Sequence, residues 1–258
     1  MALAAVVLCG GPRLAAQPAR VEDLGIGKLL VTPRDAPDPS FADSVILLVR
    51  YDRGGTLGLM LNRRSKVPLS RALRDSKAAS GRADPIYIGG PVDLMNVLAL
   101  VRANAMPEGA PHVVGKVYLA STRAVIEKTL QSVPEGVRVY LGYCGWAPGQ
   151  LENETSHGMW HVFPGSTDAA FDSDPDTLWS RLDARAGQNI AQTRVQGRPT
   201  NSGGTSPFSR RNAPMMPYIS LSWVMFQLSK PSFDRSQTAH FTFAAPAESV
   251  MAAYTGSQ

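Results

Sequence analysis

An α+β fold is predicted: an antiparallel-rich mixed sheet or partly closed barrel with a few flanking helices, in a single domain. Three observations carry this. Two apolar runs of strand length, Ser44 to Tyr51 and Thr56 to Asn62, are separated only by Asp52-Arg53-Gly54-Gly55, which suits a hairpin loop. Further on, Val137, Val139 and Leu141 alternate with Arg138 and Tyr140, the period of a half-buried strand. Helical spacing is confined to short stretches between such runs.

Taken in order, Lys28 to Thr32 reads as a first strand, ended by turn chemistry at Asp35-Ala-Pro-Asp38-Pro39. The hairpin of Ser44–Tyr51 and Thr56–Asn62 follows as a central antiparallel pair. Leu69, Ala72, Leu73 and Ala78 have helical spacing, so a helix is expected over Leu69–Ala79, stopped at Gly81. Ile86–Ile88 is a short strand running into Gly89-Gly90-Pro91, and Leu94–Val101 and Val113–Ala120 are further strands. Ser121 is placed to cap a helix over Thr122–Gln131 with Val125 and Leu130 inward. After the strand Val137–Tyr143, the segment Met159–Phe163 is expected beside it. Asp174-Pro175 then supplies an N-cap and a proline at the first helical position for a helix to about Asp183.

The chain divides into residues 1–20, a signal-like or disordered N-terminus; residues 21–185, the domain; and residues 186–258, a low-complexity and mostly disordered extension. In the last part only Ile219–Leu228 is dense in large apolar residues, and such composition does not readily offset ordering entropy of roughly 1–2 kcal/mol per residue. Leu3 to Cys9 is apolar and Leu14-Ala15-Ala16-Gln17 resembles the end of an export signal, although no Lys or Arg precedes the run. A true signal implies the periplasm; otherwise the location is cytoplasmic. No apolar run approaches the roughly 20 residues of a transmembrane helix.

The net charge is +5. Six basic and two acidic residues lie from Gln188 onward, leaving 20 basic against 19 acidic before it. A near-neutral body is poorly suited to phosphate neutralisation, so a protein partner or small ligand is favoured over nucleic acid.

No motif for cofactor chemistry is complete, and no cofactor is expected. The glycines of Arg53–Gly58 lack a P-loop's Lys-Ser/Thr ending and precede a strand. Gly89-Gly90-Pro91-Val92 is no dinucleotide fingerprint. His157 and His161 are four apart with Glu152 and Glu154 upstream, but Gly158 and the strand-like Trp160-His-Val-Phe163 argue against a helical metal site. Cys144 at a strand end is a candidate thiol nucleophile with His157 or His161 as base and Asn62, Asn153 or Glu152 as orienter; a free Cys is more often simply a small buried residue. There remain polar and glycine residues tied to turns: Asp38 and Phe41, Asn62 and Arg63, Gly89 and Gly90, and Gly145, Trp146, Gln150 and Glu152. Such turns expose backbone N–H groups and can form a binding concavity, or they can hold loops together.

The ordered set GKLLVTPRDAPDPSFADSVILLV, GTLGLMLNR, YIGGPV, GYCGWAPGQLE, WHVFPG and DTLWSRL resembles the YqgE/AlgH family of bacterial proteins over about Gly25 to Leu182. The resemblance implies a largely uncharacterised family, usually without an export signal, in which some members carry the label of transcriptional regulator. It also implies a small residue where Cys144 stands and no fixed histidine at His161, which weakens a Cys144–His161 pair. The leading expectation is a non-catalytic binding or regulatory protein whose surface includes those ten turn residues. The alternatives are a Cys144-dependent thiol enzyme or hydrolase, and a transcriptional regulator in direct contact with DNA.

Overall fold

The computed structural model describes residues 20–36, 38–196 and 239–240. Apolar residues in the first three strands point alternately to opposite faces, and both faces are covered. In β1 (Lys28–Val31), β2 (Val45–Asp52) and β3 (Gly55–Met60), Leu29, Val31, Val45, Leu47, Leu57 and Leu59 enter one core, while Leu30, Ile46, Leu48 and Met60 enter another. This is why their sequences read as continuous apolar runs rather than alternations. Each such side chain contributes on the order of 1.5–3 kcal/mol when fully buried. The β2–β3 turn is tighter than four residues, because Asp52 already pairs with Gly55.

Next come β4 (Arg64–Pro68), β5 (Pro85–Ile88), β6 (Val92–Arg102), β7 (His112–Val114), β8 (Val117–Ala120), β9 (Val137–Trp146) and β10 (His161–Pro164). The principal sheet order is β10-β1-β2-β3-β9-β6-β8-β7. On the side of β9 away from β6, β3 pairs antiparallel with its C-terminal half and β5 parallel with its middle, at Tyr87 and Ile88. The sheet curls into a half-barrel. Near its two ends, Gly27 comes so close to β7 that a Cβ there would lie 2.7 Å from the Val113 carbonyl oxygen.

The concave face holds Leu98, Leu100 and Tyr140 with the first set of strand residues, and is covered by Ala170 of α4 (Thr167–Ala170) and Leu178 and Leu182 of α5 (Leu178–Gln196). On the convex side, Val97, Ala99, Val139 and Leu141 pack under α1 (Leu69–Ala72) and α2 (Arg123–Ser132). The third core lies beneath α3 (Gln150–Ser156). No helix among the described residues is long and apolar enough to cross a membrane.

Several expectations are corrected. The helix expected over Leu69–Ala79 is the single turn α1, since Leu69, Ala72 and Leu73 are already buried there and Ala79 reaches the core on a separate 3-10 turn. Strand β4, with little apolar patterning, was not expected. The run Val113–Ala120 breaks at Gly115 (φ 55°) into β7 and β8. Thr122 rather than Ser121 caps α2, its hydroxyl accepting from Val125 N, and Ile126 joins the expected Val125 and Leu130 in facing the core, Val125 only partly buried. Strand β10 pairs with β1, not β9, because both edges of β9 are taken. Asp174 caps no backbone N–H; its carboxylate accepts the Thr177 hydroxyl at 2.7 Å, ahead of a 3-10 turn. The final helix runs past Asp183 to Gln196, beyond the composition shift, and Ala239–His240 forms a two-residue strand, β11. The signal-like segment, Cys9 and Ile219–Leu228 lie outside the described residues.

Candidate functional site

Strand β9 ends at Trp146, and the turn Ala147-Pro148-Gly149 leads into α3. Gly149 sits at φ 77°, a left-handed conformation that glycine adopts without a Cβ clash. The first residue of α3 then folds back: Gln150 Oε1 accepts from Ala147 N at 3.1 Å, and Gln150 Nε2 donates to Glu154 Oε1 at 2.9 Å. The other oxygen, Glu154 Oε2, accepts both indole N–H groups, from Trp146 at 2.9 Å and Trp160 at 2.8 Å. One carboxylate thus satisfies three donors, and hydrogen bonds to a charged group contribute about 1.5–3 kcal/mol each. Both tryptophans are buried, and their rings meet edge to face at 6.0 Å. Phe41 packs edge-on against Trp160 at 5.7 Å.

On the outer side of α3, Glu152 accepts the Tyr51 hydroxyl at 2.6 Å, tying the helix to β2. That hydrogen bond, with burial and the carboxylate charge adding to it, pushes the Tyr51 phenol up to about 12.

The remaining expected residues work locally. Asp38 accepts from Ser40 N and caps the short turn carrying Phe41. Asn62 bridges the β1–β2 connection to the end of β3, accepting from Val45 N at 3.0 Å and donating to Asp43 O at 2.7 Å. Arg63 donates to the Ala42 carbonyl and the Ser44 hydroxyl. Gly89 and Gly90 press against β9: a Cβ on Gly89 would be 2.3 Å from Gly142 O, and one on Gly90 would be 2.2 Å from the Tyr143 carbonyl carbon. Gly145 pairs with Leu57 across β3 and β9. Phe41 and Trp146 therefore come together through Trp160, whereas Asp38, Asn62 and Gly90 each serve their own turn or crossing. Glu154, Trp160 and Tyr51 complete the cluster, none of them among the ten turn residues expected to form the surface. A signal for Glu154 existed, four residues after Gln150 on one helix face, but it required recognising α3 in a segment that reads as a turn.

A family model described as AlgH-like matches residues 29–191. The chain belongs to the AlgH-like family. Among its relatives, a UPF0301 protein of Mycobacterium tuberculosis is 36% identical over 161 residues, 60% of this chain and 79% of the relative. One from Streptomyces coelicolor is 35% identical over 174 residues, covering 64% and 88% of the two chains. The solution structure of the AlgH protein from Pseudomonas aeruginosa superposes with a TM-score of 0.53 at 25% identity, covering 72% of this chain and 98% of that one. A crystal structure from Corynebacterium diphtheriae gives 0.54 at 23% identity, over 67% and 90%, a likeness of fold.

Within the AlgH-like domain, Cys144 is 1% exposed in the core beneath α3, and its thiol donates weakly to Gly89 O at 3.5 Å. Burial pushes the thiol well above its ordinary value, against the opposing charge of Arg63. His161 on β10 pairs with Val31, whose side chain enters the concave core, whereas Cys144 lies in the separate core beneath α3. His157 is exposed and bonds Asn153 O through Nδ1. Cys144 is therefore buried, and neither His157 nor His161 is among its hydrogen-bond partners in the described residues. In a Cys9→Ser background, alkylation of native Cys144 is expected to run on the order of a thousandfold slower than a model thiol, since it requires opening of the core. A rate equal to the model thiol would contradict that burial. No group of three or more His, Cys, Asp or Glu among the described residues is placed to hold a metal ion.

Burial lowers the His161 imidazole below its ordinary value, against the opposing charges of Asp183 and Asp35. As pH falls through about 6.5, the unfolded chain takes up a proton that the native state accepts only lower down. Stability present above that pH is therefore lost towards acid. The melting temperature of a His161→Asn variant should fall less between pH 7 and pH 5 than that of the parent; parallel curves would show that His161 does not contribute.

Proposed function

We propose that the AlgH-like domain is a non-catalytic binding or regulatory module that presents the face formed by the Ala147–Gly149 turn, α3 and Tyr51. The observation that carries this reading is the Glu154 node: a carboxylate that could do chemistry is committed to Trp146, Trp160 and Gln150. Its consequence is a rigid support for the partly exposed Gln150, Glu152 and Tyr51. Preorganisation of this kind favours binding because little side-chain freedom remains to be lost on contact. The near balance of charge before Gln188 favours a protein or small-molecule partner over DNA.

The test is a screen with the full chain, scoring metabolites by change in melting temperature and proteins by retention and cross-linking, with duplex DNA at low salt as a third arm. Saturable binding of a protein or metabolite supports the reading. Binding of DNA alone, or turnover of any ligand that shifts melting, would overturn it.

A further inference from the structure

The two edges of β6 are occupied unequally. Strand β9 pairs with one edge at Val92 and again from Val97 to Val101, with a bulge between them, whereas β8 covers only Ala99–Arg102 of the other. The stretch from Val92 to Leu98 would then leave a row of backbone N–H and C=O groups open, which folded proteins cover or block. Here it meets β11 of the C-terminal extension: Ala239 lies opposite Val97 and His240 opposite Asn96, antiparallel. Asn96 is 2% exposed, and its Oδ1 is buried without a hydrogen-bond partner among the described residues. Beside it Met95 is 45% exposed. The extension carries matching chemistry, because Thr238, His240 and Thr242 alternate with Ala239, Phe241 and Phe243, a two-residue period rich in β-branched and aromatic side chains. The family match stops at residue 191, so this strand lies outside the matched residues.

We infer that the β6 edge from Val92 to Val97 is a strand-accepting site whose occupant in the free protein is the chain's own segment centred on Ala239–His240. Recognition runs through main-chain hydrogen bonds, with alternate side chains giving selectivity. This inference is independent of the α3 face.

The experiment compares backbone hydrogen exchange in the full chain with that in the Ala239→Pro/His240→Pro double variant. In an antiparallel pair, one of two successive residues bonds the neighbouring strand, and proline at both positions removes that donor whichever it is. A peptide covering residues 92–98 should exchange tenfold or more faster in the variant, β1 and β2 should be unchanged, and a synthetic peptide of residues 236–244 should restore protection. Equal exchange in the two proteins would overturn the inference. So would protection that survives the prolines and rises with protein concentration, which would assign the edge to a second copy. Unchanged melting of the variant confirms that the domain stays folded, and the peptide's effect gives a second readout.

Discussion

Replacing Trp146 with alanine should lower stability by about 3–5 kcal/mol, the range for a large aromatic removed from a core. For a domain of this size that is a fall of roughly 6–20 °C in melting temperature. The side chain is 4% exposed and packs on Trp160, and its indole reaches within 3.2 Å of where a Cβ on Gly58 would sit. Its loss also strips one of three donors from Glu154. Trp146→Phe should recover much of the packing but not the hydrogen bond, separating the two contributions. A melting temperature for Trp146→Ala within a degree of the parent would mean that the node does not support the α3 face.

The second large effect is expected at Gly90. A Cβ there would lie 2.2–2.4 Å from the backbone of Tyr143 and Cys144, atoms that cannot move aside without displacing β9. Gly90→Ala should cost at least about 3 kcal/mol, the upper end for ordinary overpacking. Gly149→Ala provides the contrast. Its left-handed φ of 77° is unfavourable for alanine, but nothing lies within 4 Å of the added carbon, so only about 1–2 kcal/mol is expected. Chemical denaturation of both variants checks the ranking, and equal losses would contradict the crossing of Gly89-Gly90 and Gly142 as a packing device.

These two sites also show what could be read in the sequence. Runs such as Val45 to Val49 announce buried strands through composition alone, and the turn chemistry of Arg53-Gly54 fixes their connection, so the half-barrel's first three strands were legible. The partner of β10 was not. WHVF carries strand propensity but nothing that distinguishes β1 from β9 as its neighbour; long-range pairing is decided by which edges remain vacant. Helix α3 was hidden for a local reason, since Pro148-Gly149 reads as a turn and only Leu151 and Thr155 mark a buried face. With the helix unread, Glu154 could not be seen to meet Trp146 and Trp160. Turn residues such as Asn62 and Gly90 were visible as special, but whether their hydrogen-bonding groups face a ligand or another strand depends on tertiary placement. Cys144 drew interest from its strand-end position, and its burial is a property of α3 and the two tryptophans above it.

The central claim, that a rigid α3 face binds a partner, is tested most directly by Glu152→Lys. The substitution reverses charge on a partly exposed residue whose one described side-chain bond is to Tyr51, leaving the Glu154 node intact. Retention of a bound protein or ligand identified with the parent should fall tenfold or more in Glu152→Lys while the melting temperature moves by no more than a few degrees. Undiminished retention by the folded variant would contradict the account.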